Sequence, residues 1–228
     1  FSLSNANDIL TESEWKYESD GITLFDSSKA TSSNEYYRYN ALGEALEIAH
    51  FGTETSSISP DTENHLRATL PLAGIKFSFT RGSFDTLLNH YYYSYNLEPA
   101  ERKYHMFYLA TNFFVDYDPY SKWHSNFLGT WMNANQFEDS IENPQAPLIG
   151  EEKTIDELTL LMREVNPGDY ATYLTLWRAY QLRWNKLMPN IPIYANQYYD
   201  VYDVNLKGVE STPFWDWTYS IYDMYFEG

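Results

Sequence analysis

The densest group of residues able to do chemistry is Asp116-Tyr117-Asp118-Pro119, which directly follows an apolar run, "YHMFYLAT", at 104–111. Two carboxylates beyond the end of a strand could act as acid and base, or one of them could hold a cation. In open α/β sheets, ligands gather just past the C-terminal ends of strands. Composition alone favours a plain Asp-Pro turn with solvated carboxylates. Tyr117, Tyr120, Trp123 and Trp131 flank the turn, and loop aromatics on a rigid scaffold are candidates for binding.

Other chemistries find little footing. The histidines (50, 65, 90, 105 and 124) are scattered, with no His-x-x-x-His pair. There is no phosphate-binding glycine loop, dinucleotide fingerprint or Gly-x-Ser-x-Gly elbow. The absence of cysteine excludes disulfides, thiolate metal sites and a cysteine nucleophile. The sequence therefore implies no catalytic residue, no metal and no cofactor.

Composition bounds the partners. The chain has 228 residues and a net charge of −17, which repels phosphate backbones and makes nucleic acid a poor partner. The same charge can draw cationic ligands. The 22 tyrosines, 7 tryptophans and 13 phenylalanines supply a core and also flat amphipathic faces for gripping peptides or sugars. No apolar run is long enough for a membrane span. Ser4-Asn5-Ala6 looks like a cloning remnant, so residues 1–8 read as a leader, and no signal peptide is visible.

The elements that must position these residues follow from periodicity. Strands are expected at 21–25, at 44–52, at 75–79 and at 104–111, the last apolar on both faces and so central in its sheet. Ser59-Pro60 starts a helix that Gly74 stops, and Ser83 caps a short one. Thr154 and Glu157 form a capping box. Asn166-Pro167 caps a long helix whose Tyr and Trp stripe reads as core, through about residue 188. "NIPIY" then reads as a buried strand, Ile191 to Tyr194. Strands alternating with helices specify an α/β layered domain with a mixed sheet.

Taken in order, "HLRATLPLAGIKFSFTRGSFDTLLNHYY", "KYHMFYLATNFFVDYDPYSKW", "NANQFEDSI", "LWRAYQLRWNKLMPNIPIYANQYYDVYD" and "LKGVESTPFWDWTYSI" resemble the extracellular solute-binding proteins of family 5. These are the oligopeptide, dipeptide and nickel binders of bacterial ABC importers. The resemblance runs from about residue 9 to 221 and matches the C-terminal part of longer, two-lobed members. It implies one lobe of a periplasmic-binding-protein-like type II fold over 9–195. It also implies a segment, 196–228, that crosses the hinge and returns to an N-terminal lobe of the same receptor, where Tyr198, Tyr199 and Tyr202 would meet a partner surface. The implied role is non-enzymatic transport: capture of a peptide or other small solute for a membrane-embedded permease. The implied location is extracytoplasmic, in the periplasm or as a cell-surface lipoprotein. In the family's peptide binders an aspartate in the Asp-Tyr turn pairs with the ligand's α-amino group. Asp116 fits by preceding Tyr117. This sequence has one residue fewer than usual between that Asp and the Pro, so Asp118 could take the role instead. The alternatives are a carbohydrate-binding or adhesion module using exposed Trp and Tyr, and a glycoside hydrolase using Asp116 and Asp118 with the two acids roughly 5–10 Å apart.

Overall fold

A computed structural model describes residues 2–110, 117–195, 199–212 and 216–228. The chain divides into two compact units, 1–109 and 110–228.

The first unit is built on a parallel sheet. Strand β1, Glu47–Thr53, pairs with β2, Lys76–Gly82, along its full length. On its other side β1 pairs with β3, Met106–Phe107, giving the order β2-β1-β3. Helix α1, Leu3–Glu12, precedes the sheet, with Ser2 as its N-cap. Helix α2, Ser59–Thr69, connects β1 to β2, and helix α3, Phe84–His90, follows β2. The α3 start is as expected: the Ser83 side chain accepts from the Thr86 amide. Ser59 is not a cap, because Ile58 holds that position and Ser59 lies inside the first turn. A 3-10 turn extends α2 to Gly74, whose φ of 75° suits glycine. A Cβ there would press on the Phe25 ring and the Arg38 stem.

Two strand expectations need correction. The apolar run after Tyr104 is not a central strand: among the described residues only Met106 and Phe107 pair, at the sheet edge, and both are half-buried. The apolar residues instead serve side-chain packing, with Tyr104 joining Phe51 and Leu87 in the unit's core. At 21–25 only Leu24 pairs, in a single antiparallel bridge to Tyr17.

The second unit is helical. Its helices are α4, Pro119–Trp123, α5, Ile155–Glu164, and α6, Tyr170–Leu187, and a short antiparallel pair, β4 (Leu206–Lys207) and β5 (Tyr225–Phe226), follows. The capping box at α5 is present, with the Thr154 hydroxyl on the Glu157 amide and the Glu157 carboxylate on the Thr154 amide. Helix α6 is capped by Asp169 rather than by Asn166, three residues later than the Asn-Pro signal suggests. Trp123, Ile155, Leu158, Met162 and Tyr180 form the core, with Tyr173, Trp177 and Trp184 against it, so most of the α6 aromatic stripe is core as expected.

"NIPIY" is not a buried strand. Residues 191–195 carry no regular structure and Ile191 is 64 % exposed. Met188 closes α6 in a left-handed conformation, and the two prolines that follow leave few amides to enter a ladder. Among the described residues no helix is long and apolar enough to cross a membrane.

Candidate functional site

The Asp-Pro turn is a helix start. Asp118 caps α4 through Oδ1, which accepts from the Tyr120 amide at 3.0 Å, and Pro119 occupies the first helical position, where its missing N–H costs nothing. The other oxygen, Oδ2, lies 3.3 Å from Arg163 Nε on α5. Arg163 then lays its guanidinium on the Tyr120 ring, 4.5 Å from the centroid. Asp118, Tyr120 and Arg163 thus form one half-exposed assembly. The Tyr120 hydroxyl accepts from Asn126 Nδ2 at 2.7 Å.

Trp123 points the other way. It is 1 % exposed and edges against Phe137 and Trp184. Its indole N–H donates to the Tyr117 hydroxyl at 3.2 Å. Burial and that neighbouring hydroxyl push the Tyr180 phenol well above its usual range. Tyr117, Trp123 and Tyr180 therefore form a floor from which the turn projects. Trp131, at the start of a 3-10 turn, is 64 % exposed and offers an open face. Asp116 lies outside the described residues, as do Tyr198 and Trp215.

Spacing did not reveal the polar groups behind the turn. Asp156 accepts from the Ser125 amide at 2.9 Å and, through a very short bond, from the Ser125 hydroxyl. His124 Nδ1 lies 3.8 Å from Asp156 yet accepts from the Asn126 amide at 3.1 Å. An accepting Nδ1 carries no proton there, so the ring is neutral. This agrees with burial holding His124 below its usual range against the pull of Asp156. Serine bonds the carboxylate and not the imidazole, so these three do not form a nucleophile triad. Burial alone also lowers Lys122, whose ammonium lies over the Trp123 ring at 5.2 Å.

The deepest charge in the unit belongs to Asp139. It takes Arg183 in a fork, Nε to Oδ2 at 2.9 Å and Nη2 to Oδ1 at 2.6 Å. It also accepts from the Gln145 amide at 2.9 Å and the Ile155 amide at 2.8 Å. Forty-four positions separate the pair, so no local pattern announces it. A shallow depression in the other unit is lined by Glu14, Lys16, Tyr17, Asn40, Ala41 and Leu42 and includes none of the expected site residues. Among the described residues no three His, Asp or Glu side chains converge on a metal-sized point.

No family model and no curated protein matches the chain. Solved structures do. The chain aligns over 100 % of its length with the oligopeptide-binding protein AppA from Bacillus subtilis, solved with a nonapeptide, at a TM-score of 0.62 and 12 % identity. It is also similar over 80 % of its length to the periplasmic binding protein DppA from Helicobacter pylori, solved with the peptide STSA, at a TM-score of 0.47 and 14 % identity. The fold is therefore that of a lobe of a periplasmic-binding-protein-like protein, mixed α/β with a parallel sheet. The chain spans 38 % of AppA and 31 % of DppA. Both are named as binding proteins.

Proposed function

We propose that this chain is the C-terminal ligand-binding lobe of an extracytoplasmic receptor that captures oligopeptides for an ABC importer. One observation carries the reading: the whole chain follows the AppA fold while spanning little more than a third of it. In this reading residues 9–195 are the lobe, and 196–228 returns to an N-terminal lobe of the same receptor. Two lobes closing on a ligand exclude water, and main-chain bonds to an extended peptide hold it without regard to its side chains.

The state of Asp118 bears on the anchor. Its two oxygens already serve the α4 cap and Arg163. A carboxylate so engaged has little left for an incoming ammonium, so the anchor role goes to Asp116, and Trp131 and Tyr120 are the candidate aromatic contacts. The same engagement removes Asp118 as half of a glycosidase pair, and no hydrolase is proposed.

The test uses the intact receptor. Asp116→Asn should weaken peptides with a free amino end by about 10- to 100-fold, the range for hydrogen bonds to charged groups, and leave N-acetylated peptides nearly unchanged. Equal loss for both sinks the anchor. Mass spectrometry of ligand carried through purification of the intact receptor should find peptides; a sugar or metal chelate would redirect the reading. The 228-residue chain alone should bind peptides weakly in calorimetry, since the opposing contacts are missing.

A further inference from the structure

Helix α4 ends on a histidine that also starts the next turn. His124 is the side-chain cap of the 3-10 turn Ser125–Phe127: its Nδ1 accepts from the Asn126 amide at 3.1 Å, where an Asn or Asp oxygen ordinarily sits. Its carbonyl accepts from the Phe127 amide at 3.0 Å and closes the turn. That turn carries Asn126, whose Nδ2 donates to the Tyr120 hydroxyl at 2.7 Å. The Tyr120 ring lies 4.3 Å from the His124 ring and has Phe127 at its edge. One imidazole nitrogen therefore supports the turn that brings Asn126 to the phenol of a candidate ligand contact.

Histidine differs from the other capping residues because a proton can close its acceptor. A proton on Nδ1 would set two donors, that N–H and the Asn126 amide, against each other across 3.1 Å. The charged ring has Asp156 on α5 to turn to, with Oδ2 3.8 Å from Nδ1. Asp156 already accepts from the amide and hydroxyl of Ser125, the first residue of the same turn. Drawing His124 to Asp156 thus competes with the bonds that hold the turn's start. On α4 the other charged groups are Asp118, engaged by its cap and by Arg163, and Lys122, over the Trp123 ring. On α5 they are Glu157, turned back to the Thr154 amide, exposed Glu164, and Arg163. Arg163 covers the Tyr120 ring and is a like charge to a protonated His124. The turns 125–127 and 131–133, which pack on α4, contain no charged residue.

We infer that His124 is a proton-operated latch on the candidate ligand face: neutral, it holds the 125–127 turn and, through Asn126, the Tyr120 hydroxyl; protonated, it lets both go. Its effect on ligand rests on the peptide-receptor reading, and there it makes capture tighter at neutral pH and release easier in acid. Burial disfavours the charged ring more than Asp156 favours it, and holds His124 below its usual range. The latch is closed above the His124 midpoint and opens as pH falls through it.

Two measurements decide it. Histidine ring NMR on the 228-residue chain needs no ligand. Neutral His124 should carry its proton on Nε2 and should titrate below about 6.5. Protection of the Asn126 amide from exchange should be lost, and the Tyr120 ring signals should shift, with the same midpoint. An Nδ1–H tautomer, or an Asn126 amide indifferent to the His124 titration, overturns the inference. His124→Asn offers an oxygen to the same amide but does not titrate here, so Asn126 protection should become independent of pH. In the intact receptor, affinity for a peptide with a free amino end should fall by about tenfold per pH unit below the wild-type midpoint. With His124→Asn that fall should disappear. Identical pH profiles for the two receptors overturn the coupling to ligand. A receptor that holds no peptide at any pH sinks the peptide reading instead, while the ring titration still decides the latch.

Discussion

Each unit buries one arginine completely, and the two solve the problem in opposite ways. Arg183 in the second unit meets a carboxylate in a fork. Arg38 in the first has no ion pair among the described residues; its donors go to the Ala73, Trp15 and Asn7 carbonyls, the Asn7 amide oxygen and the Thr11 hydroxyl, and its flat face rests on the Phe25 ring at 4.2 Å. The titration directions follow: the bonds to Asp139 raise Arg183, and burial lowers Arg38. Arg38 ties neutral groups together, drawing α1, the Trp15 segment and the turn before Gly74 around one planar group. Arg183 instead joins Asp139 in the fork, with the Ala146 carbonyl and the Glu152 carboxylate, 3.4 Å away, as further partners. A buried cation among carbonyls organises the backbone, whereas a buried ion pair makes its two elements depend on each other.

The largest test of this contrast is Asp139→Ala. It removes the forked partner of a buried guanidinium, leaving it only Glu152 at 3.4 Å and the Ala146 carbonyl, and frees the Gln145 and Ile155 amides, and should cost about 3–5 kcal/mol in urea unfolding followed by tryptophan fluorescence. A cost under about 1 kcal/mol would mean that Arg183 finds solvent. Next comes a buried ring with one nitrogen unpartnered among the described residues. His50 on β1 is buried, stacked on Phe79 at 4.7 Å, and its Nδ1 has no hydrogen bond; burial holds its pKa down to about 4. The folded state therefore binds the proton less readily than the unfolded chain, whose histidine titrates near 6.5. Its contribution is fully present above pH 6.5 and is lost as pH falls toward 4, by about 3 kcal/mol. His50→Phe should flatten that part of the stability-versus-pH curve. Arg38→Met should cost less than either, about 1–3 kcal/mol, because it leaves acceptors unpaired but no stranded charge. If it equals Asp139→Ala, the contrast fails. Thr154→Ala, which removes one side of a capping box, should cost about 1 kcal/mol.

What could be read from the residues tracks how local each feature is. The Thr154–Glu157 box, the Ser83 cap, β2 and the α6 core stripe rest on spacings within a turn or two, and all are present. The strand at 191–194 failed because an apolar run between prolines satisfies the pattern without the amides a ladder needs. The run after Tyr104 failed because hydrophobicity reports burial, and burial here comes from side-chain packing rather than from a place between two strands. In the site, Asp118 was legible as a polar residue at a turn but not as a cap already paired, since its partner Arg163 lies on another helix. Arg38 with Asn7, and Arg183 with Asp139, are invisible for the same reason: each joins positions tens of residues apart.

Asp139 has one more consequence. Helix α5 begins with its amides turned toward this carboxylate: Ile155 donates to Asp139 Oδ2 and Asp156 to the Asp139 carbonyl, while Glu157 donates to Thr154. A helix start carries about half a positive charge, and Asp139 faces both that half-charge and a guanidinium, with Glu152 beside Arg183 and Asp156 and Glu157 in the first turn adding the remaining negative charge. The macrodipole of α5 is thereby spent inside the protein. Phosphate or any other free anion arriving at this end would find neither an open amide nor an unbalanced field.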